Sequence, residues 1–177
     1  MKTYFDMVGL DRRYHLSLRE LEERYHAGAR EHHPDRHVRD AERQRVASAL
    51  ATAELTEAYR TLKDPVKRAE YLLELEGVRI ADERSAHPVA PGFLVEIMEL
   101  REGLEEARGA KDEARVQALG ADVRGRSERA MAEVGALFQR YDGGDRAALP
   151  AIADALVALR YYRRFLDELE AHEEEQE

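Results

Sequence analysis

The sequence predicts an all-α protein: an N-terminal helical hairpin with flanking short helices, followed by a C-terminal antiparallel three-helix bundle. Three observations carry this expectation. Ala, Leu, Glu and Arg dominate while β-branched residues are sparse, and the former lose the least side-chain freedom in a helix. Apolar residues recur at steps of three and four, the period of one helix face. The boundaries between these segments carry Ser, Thr or Asp at starts and Gly or Pro at ends, as helix caps require.

Thr3-Tyr4-Phe5-Asp6 has capping-box spacing with Asp in place of the usual Glu or Gln, and Gly9 suits the residue after a helix end. A short first helix follows, with Tyr4 and Phe5 expected in the core. Ser17-Leu18-Arg19-Glu20 is a second capping box, and Leu16 with Leu21 has the spacing of a hydrophobic staple. Leu18, Leu21, Tyr25 and Ala29 form the apolar stripe of this helix, with Arg19, Arg24, His26 and Arg30 on the opposite side.

Pro34 cannot continue that helix, because it lacks an N–H and clashes with the preceding turn. Asp40 is the expected N-cap of a long helix whose stripe reads Val46, Leu50, Ala53, Leu55, Ala58, Tyr59 and Leu62. Asp64-Pro65 ends it and starts a further helix, with Asp at the N-cap and Pro at N1. That helix carries Val66, Ala69, Leu72 and Leu73 and closes at Gly77. Two long amphipathic helices joined by a tight turn pack antiparallel, so the His33-Pro34-Asp35 turn is expected at the exposed tip.

Residues 78–92 contain Pro88, Pro91 and Gly92 and read as a linker. Helical signal resumes at Phe93, Leu94, Ile97, Met98, Arg101 and Leu104. It resumes again after Gly109 with Lys111-Asp112-Glu113-Ala114-Arg115 and the stripe Val116, Leu119, Val123, Ala130, Val134, Leu137, Phe138 and Tyr141. Gly120 and Gly125 weaken that long helix by roughly 1 kcal/mol each relative to Ala, so a bend is expected there. Asp142-Gly143-Gly144-Asp145 reverses the chain into a last helix with Ile152, Leu156, Leu159, Tyr162, Leu166 and Leu169. The expected division is therefore 1–77 hairpin domain, 78–92 linker, 93–172 three-helix bundle and 173–177 acidic tail.

The 177 residues carry a net charge of −9. Residues 1–77 hold 14 Lys and Arg against 15 Asp and Glu, whereas residues 78–177 hold 14 against 22, so the acidic excess belongs to the second part. Without a basic block, neither nucleic acid nor an anionic membrane is the expected partner. No apolar run approaches the roughly 20 residues that span a bilayer, and the N-terminus lacks a signal or transit pattern; a cytoplasmic protein is expected. There is no cysteine, which excludes disulfides and thiolate-bound metal. His32, His33 and His37 do not form a ligand set, because Pro34 breaks the helix that would align them. No catalytic constellation has a recognisable context, so neither an enzyme nor a resident cofactor is expected.

His33-Pro34-Asp35 after an amphipathic helix, with Arg36 next and a long helix following, resembles the signature of the J-domain of DnaJ-type co-chaperones. Tyr4-Phe5, Glu57-Ala58-Tyr59-Arg60-Thr61-Leu62, Asp64-Pro65 and Arg68-Ala69-Glu70-Tyr71 fall in that family's order. With Phe93-Leu94, Glu99-Leu100-Arg101-Glu102 and Lys111-Asp112-Glu113-Ala114-Arg115, nearly the whole chain is similar to the HscB family, the J-proteins of bacterial iron–sulfur cluster assembly. The resemblance implies a co-chaperone that delivers an IscU-type scaffold to an HscA/DnaK-type chaperone and stimulates its ATPase.

Carried over by resemblance, His33, Pro34, Asp35 and Arg36, supported by Arg24 and Arg30, form the chaperone-binding group. Leu94, Val95, Met98, Glu99 and Glu102, with Tyr161, form the scaffold-binding patch. The chain departs from the family pattern at His32, where Tyr is common, at Arg36, where Lys is usual, and at Gly28, which interrupts the second helix. Periodicity alone leaves Leu94 and Met98 equally suited to a core, since one helix cannot bury both that face and its Ile97/Leu104 side equally. A J-protein serving a general DnaK-type chaperone and another client is the alternative function. Both a monomer and a weak homodimer fit the sequence.

Overall fold

The structure is a computed structural model that describes residues 2–31, 42–78, 80 and 91–174. Among them are seven helices and no strand: α1 (Tyr4–Val8), α2 (Leu18–Glu31), α3 (Glu42–Lys63), α4 (Pro65–Leu75), α5 (Pro91–Gly109), α6 (Glu113–Asp142) and α7 (Ala148–Glu174). The chain divides into two compact units, Met1–Leu75 and Glu76–Glu177.

In the first unit each helix start is fixed by its own sequence. The Thr3 hydroxyl accepts from the Asp6 N–H at 3.2 Å, and the Asp6 carboxylate accepts from the Thr3 N–H at 2.8 Å, completing the capping box. These bonds hold the exposed Asp6 carboxyl below its ordinary pKa. Gly9 closes α1 in the left-handed region, at φ 67°. The Ser17 hydroxyl accepts from the Glu20 N–H at 3.2 Å. Asp64 accepts from the N–H groups of Val66 and Lys67 at 2.8 and 3.0 Å, with Pro65 at N1 as its missing donor permits.

The core of this unit is Phe5, Val8, Tyr14, Leu21, Leu55, Ala58, Leu62, Ala69, Leu72 and Leu73. Tyr4 stacks on Tyr71 with centroids 4.4 Å apart, and the Tyr71 hydroxyl accepts from the Tyr4 N–H at 2.9 Å. One side chain of α4 thus both covers α1 and satisfies a donor at its start. Phe5 lies in the core as the sequence suggests, while Tyr4 is half-buried.

The apolar faces of α2 and α3 differ from the expected stripes. Leu18 is exposed, so the buried stripe of α2 starts at Leu21. Val46, Leu50 and Ala53 are also exposed, and the buried face of α3 runs through Ser48, Leu55, Ala58 and Leu62. Two contacts set this rotation. Tyr25 stacks on Tyr59 at 4.3 Å, and a Cβ on Gly28 would come within 2.8 Å of a Leu55 methyl. Gly28 therefore does not interrupt α2; it is a point of close approach to α3. Hydroxyls make the polar stretch of α3 tolerable: Thr52 donates to the Ser48 carbonyl at 3.0 Å and Thr56 to the Thr52 carbonyl at 2.8 Å. The expected N-cap Asp40 lies outside the described residues.

A buried arginine ties these helices together. Arg68, on α4, donates to the carbonyls of Leu62 at 2.8 Å and Tyr14 at 2.6 Å, with Lys63 at 3.5 Å, and its guanidinium lies 5.2 Å from the Tyr14 ring centroid. The last carbonyls of α3 have no partner within their own helix, and a cation suits the negative end of the helix dipole. Burial pushes the Arg68 pKa down, and Tyr14 and Asp64 push it back up; an arginine remains protonated throughout.

In the second unit α6 and α7 form the main packed pair, with α5 laid against them. Asp112 caps α6 by accepting from the Arg115 N–H at 3.0 Å. Gly120 and Gly125 lie within one helix. A Cβ on Gly120 would come within 3.1 Å of a Leu169 methyl, so this glycine lets α7 approach rather than marking a bend. Gly144, at φ 98°, makes the reversal between α6 and α7. In the same turn Arg140 grips Asp145 at 2.7 Å, and Asp145 accepts from the Ala147 N–H at 3.1 Å. Helix α5 takes in Pro91 and Gly92, with Pro91 at its first position.

Arg68→Met leaves the Leu62 and Tyr14 carbonyls without their charged donor and is expected to destabilise the chain by about 3 kcal/mol. Arg68→Lys recovers less than half of this, because an ammonium cannot span carbonyls on both segments as a planar fork does. Urea unfolding of both variants checks the ordering.

Candidate functional site

The two candidate sites lie on different units, and each is taken by itself. On the first, His33, Pro34, Asp35 and Arg36 lie outside the described residues, as do His32 and His37. Arg24 and Arg30 are on α2, both exposed. Six residues apart, they stand about 120° from one another around the helix, so they do not share one face as the sequence reading has it. Arg24 lies on the flank beside Gly9 and within 3.4 Å of the Glu20 carboxylate. Arg19–Glu23 at 3.6 Å and His26–Glu22 at 3.9 Å are further exposed pairs at i, i+4 spacing, and such pairs add little to stability.

On the second unit α5 presents two unlike faces. Phe93, Ile97, Leu100, Leu104 and Ala107 turn inward, all but the half-buried Phe93 being buried. Leu94, Val95 and Met98 remain 40%, 53% and 61% exposed, with Glu99 and Glu102 exposed on the same side. The core reading of Leu94 and Met98 is thereby excluded for this chain on its own: the buried side is the Ile97/Leu104 side. Three large apolar side chains on neighbouring turns make a patch rather than scattered exposure.

Ion pairs link α5 to its neighbours once packing has set its rotation. Glu96 pairs with Arg126 of α6, which also donates to Asp122 at 2.9 Å; the Asp122 bond is the main reason the Arg126 pKa is raised. Arg115 of α6 reaches Glu106 at 3.0 Å. Toward α7, Arg101 lies 3.7 Å from Glu168, and Arg108 donates to the Glu168 carbonyl at 2.9 Å. Tyr161 is half-buried on α7, and its ring meets Phe93 edge-on at 5.6 Å. Phe93 also meets Tyr162 at 5.7 Å, and burial raises the phenol pKa of Tyr162.

Phe93 is thus the residue that braces Tyr161, next in sequence to the patch residue Leu94. The sequence shows it only as an apolar position, because ring pairing between distant helices leaves no local signal. No group of three or more His, Cys, Asp or Glu suited to a metal ion occurs among the described residues, nor is any described helix long and apolar enough to cross a membrane.

Comparison with known proteins gives the family. A model of the DnaJ domain matches residues 3–71, and a model described as the HSCB C-terminal oligomerisation domain matches residues 89–170. A protein of Burkholderia mallei named co-chaperone protein HscB homolog is 37% identical over 159 residues, 89% of each chain. The chain belongs to the HscB co-chaperone family. Its architecture matches that of chaperone HscB from Vibrio cholerae, with a TM-score of 0.78 at 30% identity over 99% of this chain and 100% of the other. The human co-chaperone protein HscB gives a TM-score of 0.81 at 25% identity, over 98% of this chain and 83% of the other.

The all-α expectation and the resemblance to HscB both hold. As an HscB-family chain it is a co-chaperone, in keeping with iron–sulfur cluster assembly, and its J-domain implies a DnaK-type chaperone as partner.

The two faces of α5 are separable by mutation. Ile97→Ala is expected to cost about 3 kcal/mol of stability, as a large-to-small change in a packed core does. Met98→Ala, one residue on, stays within about 0.5 kcal/mol. Chemical denaturation of the two variants side by side measures this.

Proposed function

We propose that this HscB-family chain is a two-site adaptor of the cytoplasm, without enzymatic activity of its own. Its J-domain engages an HscA/DnaK-type chaperone through His33-Pro34-Asp35 and Arg36, with Arg24 and Arg30 as electrostatic support. Its C-terminal bundle holds an IscU-type scaffold on Leu94, Val95, Met98, Glu99, Glu102 and Tyr161. The J-domain is the N-terminal part of the chain, and the scaffold-binding bundle runs from the start of α5 at Pro91 to the end of α7 at Glu174.

The observation that carries the scaffold reading is the exposure of Leu94, Val95 and Met98 on a helix whose other side is buried. Apolar surface held in water by packed neighbours gains free energy when a partner covers it. For the chaperone site the support is chemical. Pro34 fixes the backbone next to Asp35, and a carboxylate so placed accepts paired hydrogen bonds from an arginine of a partner. The neighbouring cations steer association toward an acidic surface. ATP hydrolysis itself uses the groups of the chaperone, and the adaptor changes its rate by binding.

Asp35→Ala is expected to abolish stimulation of the chaperone ATPase while changing scaffold affinity less than about twofold. The pair Leu94→Ala/Met98→Ala is expected to weaken scaffold binding at least about thirtyfold, the effect of losing a hot spot worth about 2 kcal/mol, while basal ATPase stimulation stays intact. Steady-state ATPase assays and titration calorimetry read the two activities separately. Equal loss of both activities in both folded variants contradicts the two-site division.

A further inference from the structure

Helix α5 is shorter than the pair it lies on, with 19 residues against 30 for α6 and 27 for α7. Its first turns meet α6 at Arg126, through Glu96, and α7 at Tyr161 and Tyr162, through Phe93. Beyond that level α6 and α7 run on toward their own turn for roughly 20 Å of helix rise. Among the described residues no third helix of this unit lies beside them there.

That length holds an open groove of about 310 Å³. Phe93, Ala151, Ala155 and Ala158 line it, and the exposed Glu133 and Asp154 border it. Glu133 follows Arg126 by seven residues and Ala158 precedes Tyr162 by four, so each stands on the side of its helix that meets α5. The groove is therefore the vacant continuation of the path of α5.

The chain that leads into α5 is held at both ends of this groove. Glu76 pairs with Arg146, just before α7, and Val78 and Ile80 are half-buried. Pro91 and Phe93 stand at the other end. The 14 residues from Gly77 to Ala90 reach at most about 50 Å, so they cover the distance with length to spare.

The end of this stretch also suits the groove chemically. Val89 is the one large aliphatic side chain from Ala81 to Ala90. His87 and Ala90 each precede a proline, which favours extended backbone, and Pro88 has a fixed φ. A segment stiffened in this way loses little freedom when it is seated. It is also tethered next to the groove, and a short tether gives an effective concentration of about millimolar. A second copy has no such advantage and brings the acidic excess of residues 78–177, 14 Lys and Arg against 22 Asp and Glu, toward Glu133 and Asp154.

We propose that Pro88-Val89-Ala90 occupies the groove between α6 and α7, with Val89 against Ala155 and Ala158. Seated there, the segment covers apolar surface that α5 is too short to reach and holds the first turn of α5 against α7.

The chain has no cysteine, so an introduced pair reports proximity without interference. In the full chain under oxidised glutathione, Val89→Cys/Ala158→Cys is expected to form an intramolecular disulfide at least about tenfold faster than Val89→Cys/Glu128→Cys. Glu128 is exposed and, five residues before Glu133, stands about 140° from it around α6. Peptide mapping of the non-reduced chain identifies the bond. Without any cross-link, Val89→Asp is expected to speed amide exchange in the first two turns of α5 about tenfold while leaving the end of that helix unchanged. Equal disulfide rates for the two pairs, or an α5 start that Val89→Asp leaves unchanged, overturn the proposal. A disulfide that joins two molecules gives the groove to a second copy and overturns it as well.

Discussion

The guanidinium of Arg68 is the constraint on which the first unit depends. Three carbonyls converge on it, from the segment before α2 and from the last turn of α3. The abrupt Asp64-Pro65 junction ends α3 with its terminal carbonyls lacking partners in their own helix. One planar fork from the first turn of α4 reaches these groups and ties in Tyr14, while Tyr71 on the same helix covers α1. The α2–α3 pair is thus held from its base. Its contacts, Tyr25 on Tyr59 and Gly28 against Leu55, fix the rotation of the two helices.

The second unit meets a different requirement, that of keeping apolar surface uncovered without losing the fold. Helix α5 manages this by dividing its sides. Ile97, Leu100, Leu104 and Ala107 anchor it inward, and ion pairs to Arg126, Arg115 and Glu168 link it to its neighbours. The inward side is the fuller apolar stripe, Phe93, Ile97, Leu100, Leu104 and Ala107, and so outweighs the three apolar residues on the other side. The close α6–α7 packing that lets Gly120 sit under Leu169 supplies the rigid bed.

What was legible in the sequence is what local chemistry decides. Thr3 with Asp6, Ser17, and Asp64 with Pro65 cap the helices their spacing suggests, because a cap needs only residues within one turn. The order of the motifs was enough to place the chain in its family. The faces of the helices were less legible. Val46 and Leu50 read as core but are exposed, while Ser48 is buried, because the rotation of α3 is set by contacts with α2 that no single helix encodes. Gly28 and Gly120 read as weak points and turn out to be close approaches. For the candidate sites, sequence named both faces of α5, and packing selected between them; Phe93, which braces Tyr161, carried no sequence signal for that role.

The most direct test of the adaptor is whether its two ends communicate. The steady-state ATPase rate of an HscA/DnaK-type chaperone is to be measured with the chain alone, with an IscU-type scaffold alone, and with both. If one molecule links chaperone and scaffold, the rate with both exceeds the sum of the separate stimulations. A rate equal to that sum, at concentrations where scaffold and chain are fully bound, contradicts the linkage and leaves a J-protein that serves its chaperone without presenting this client.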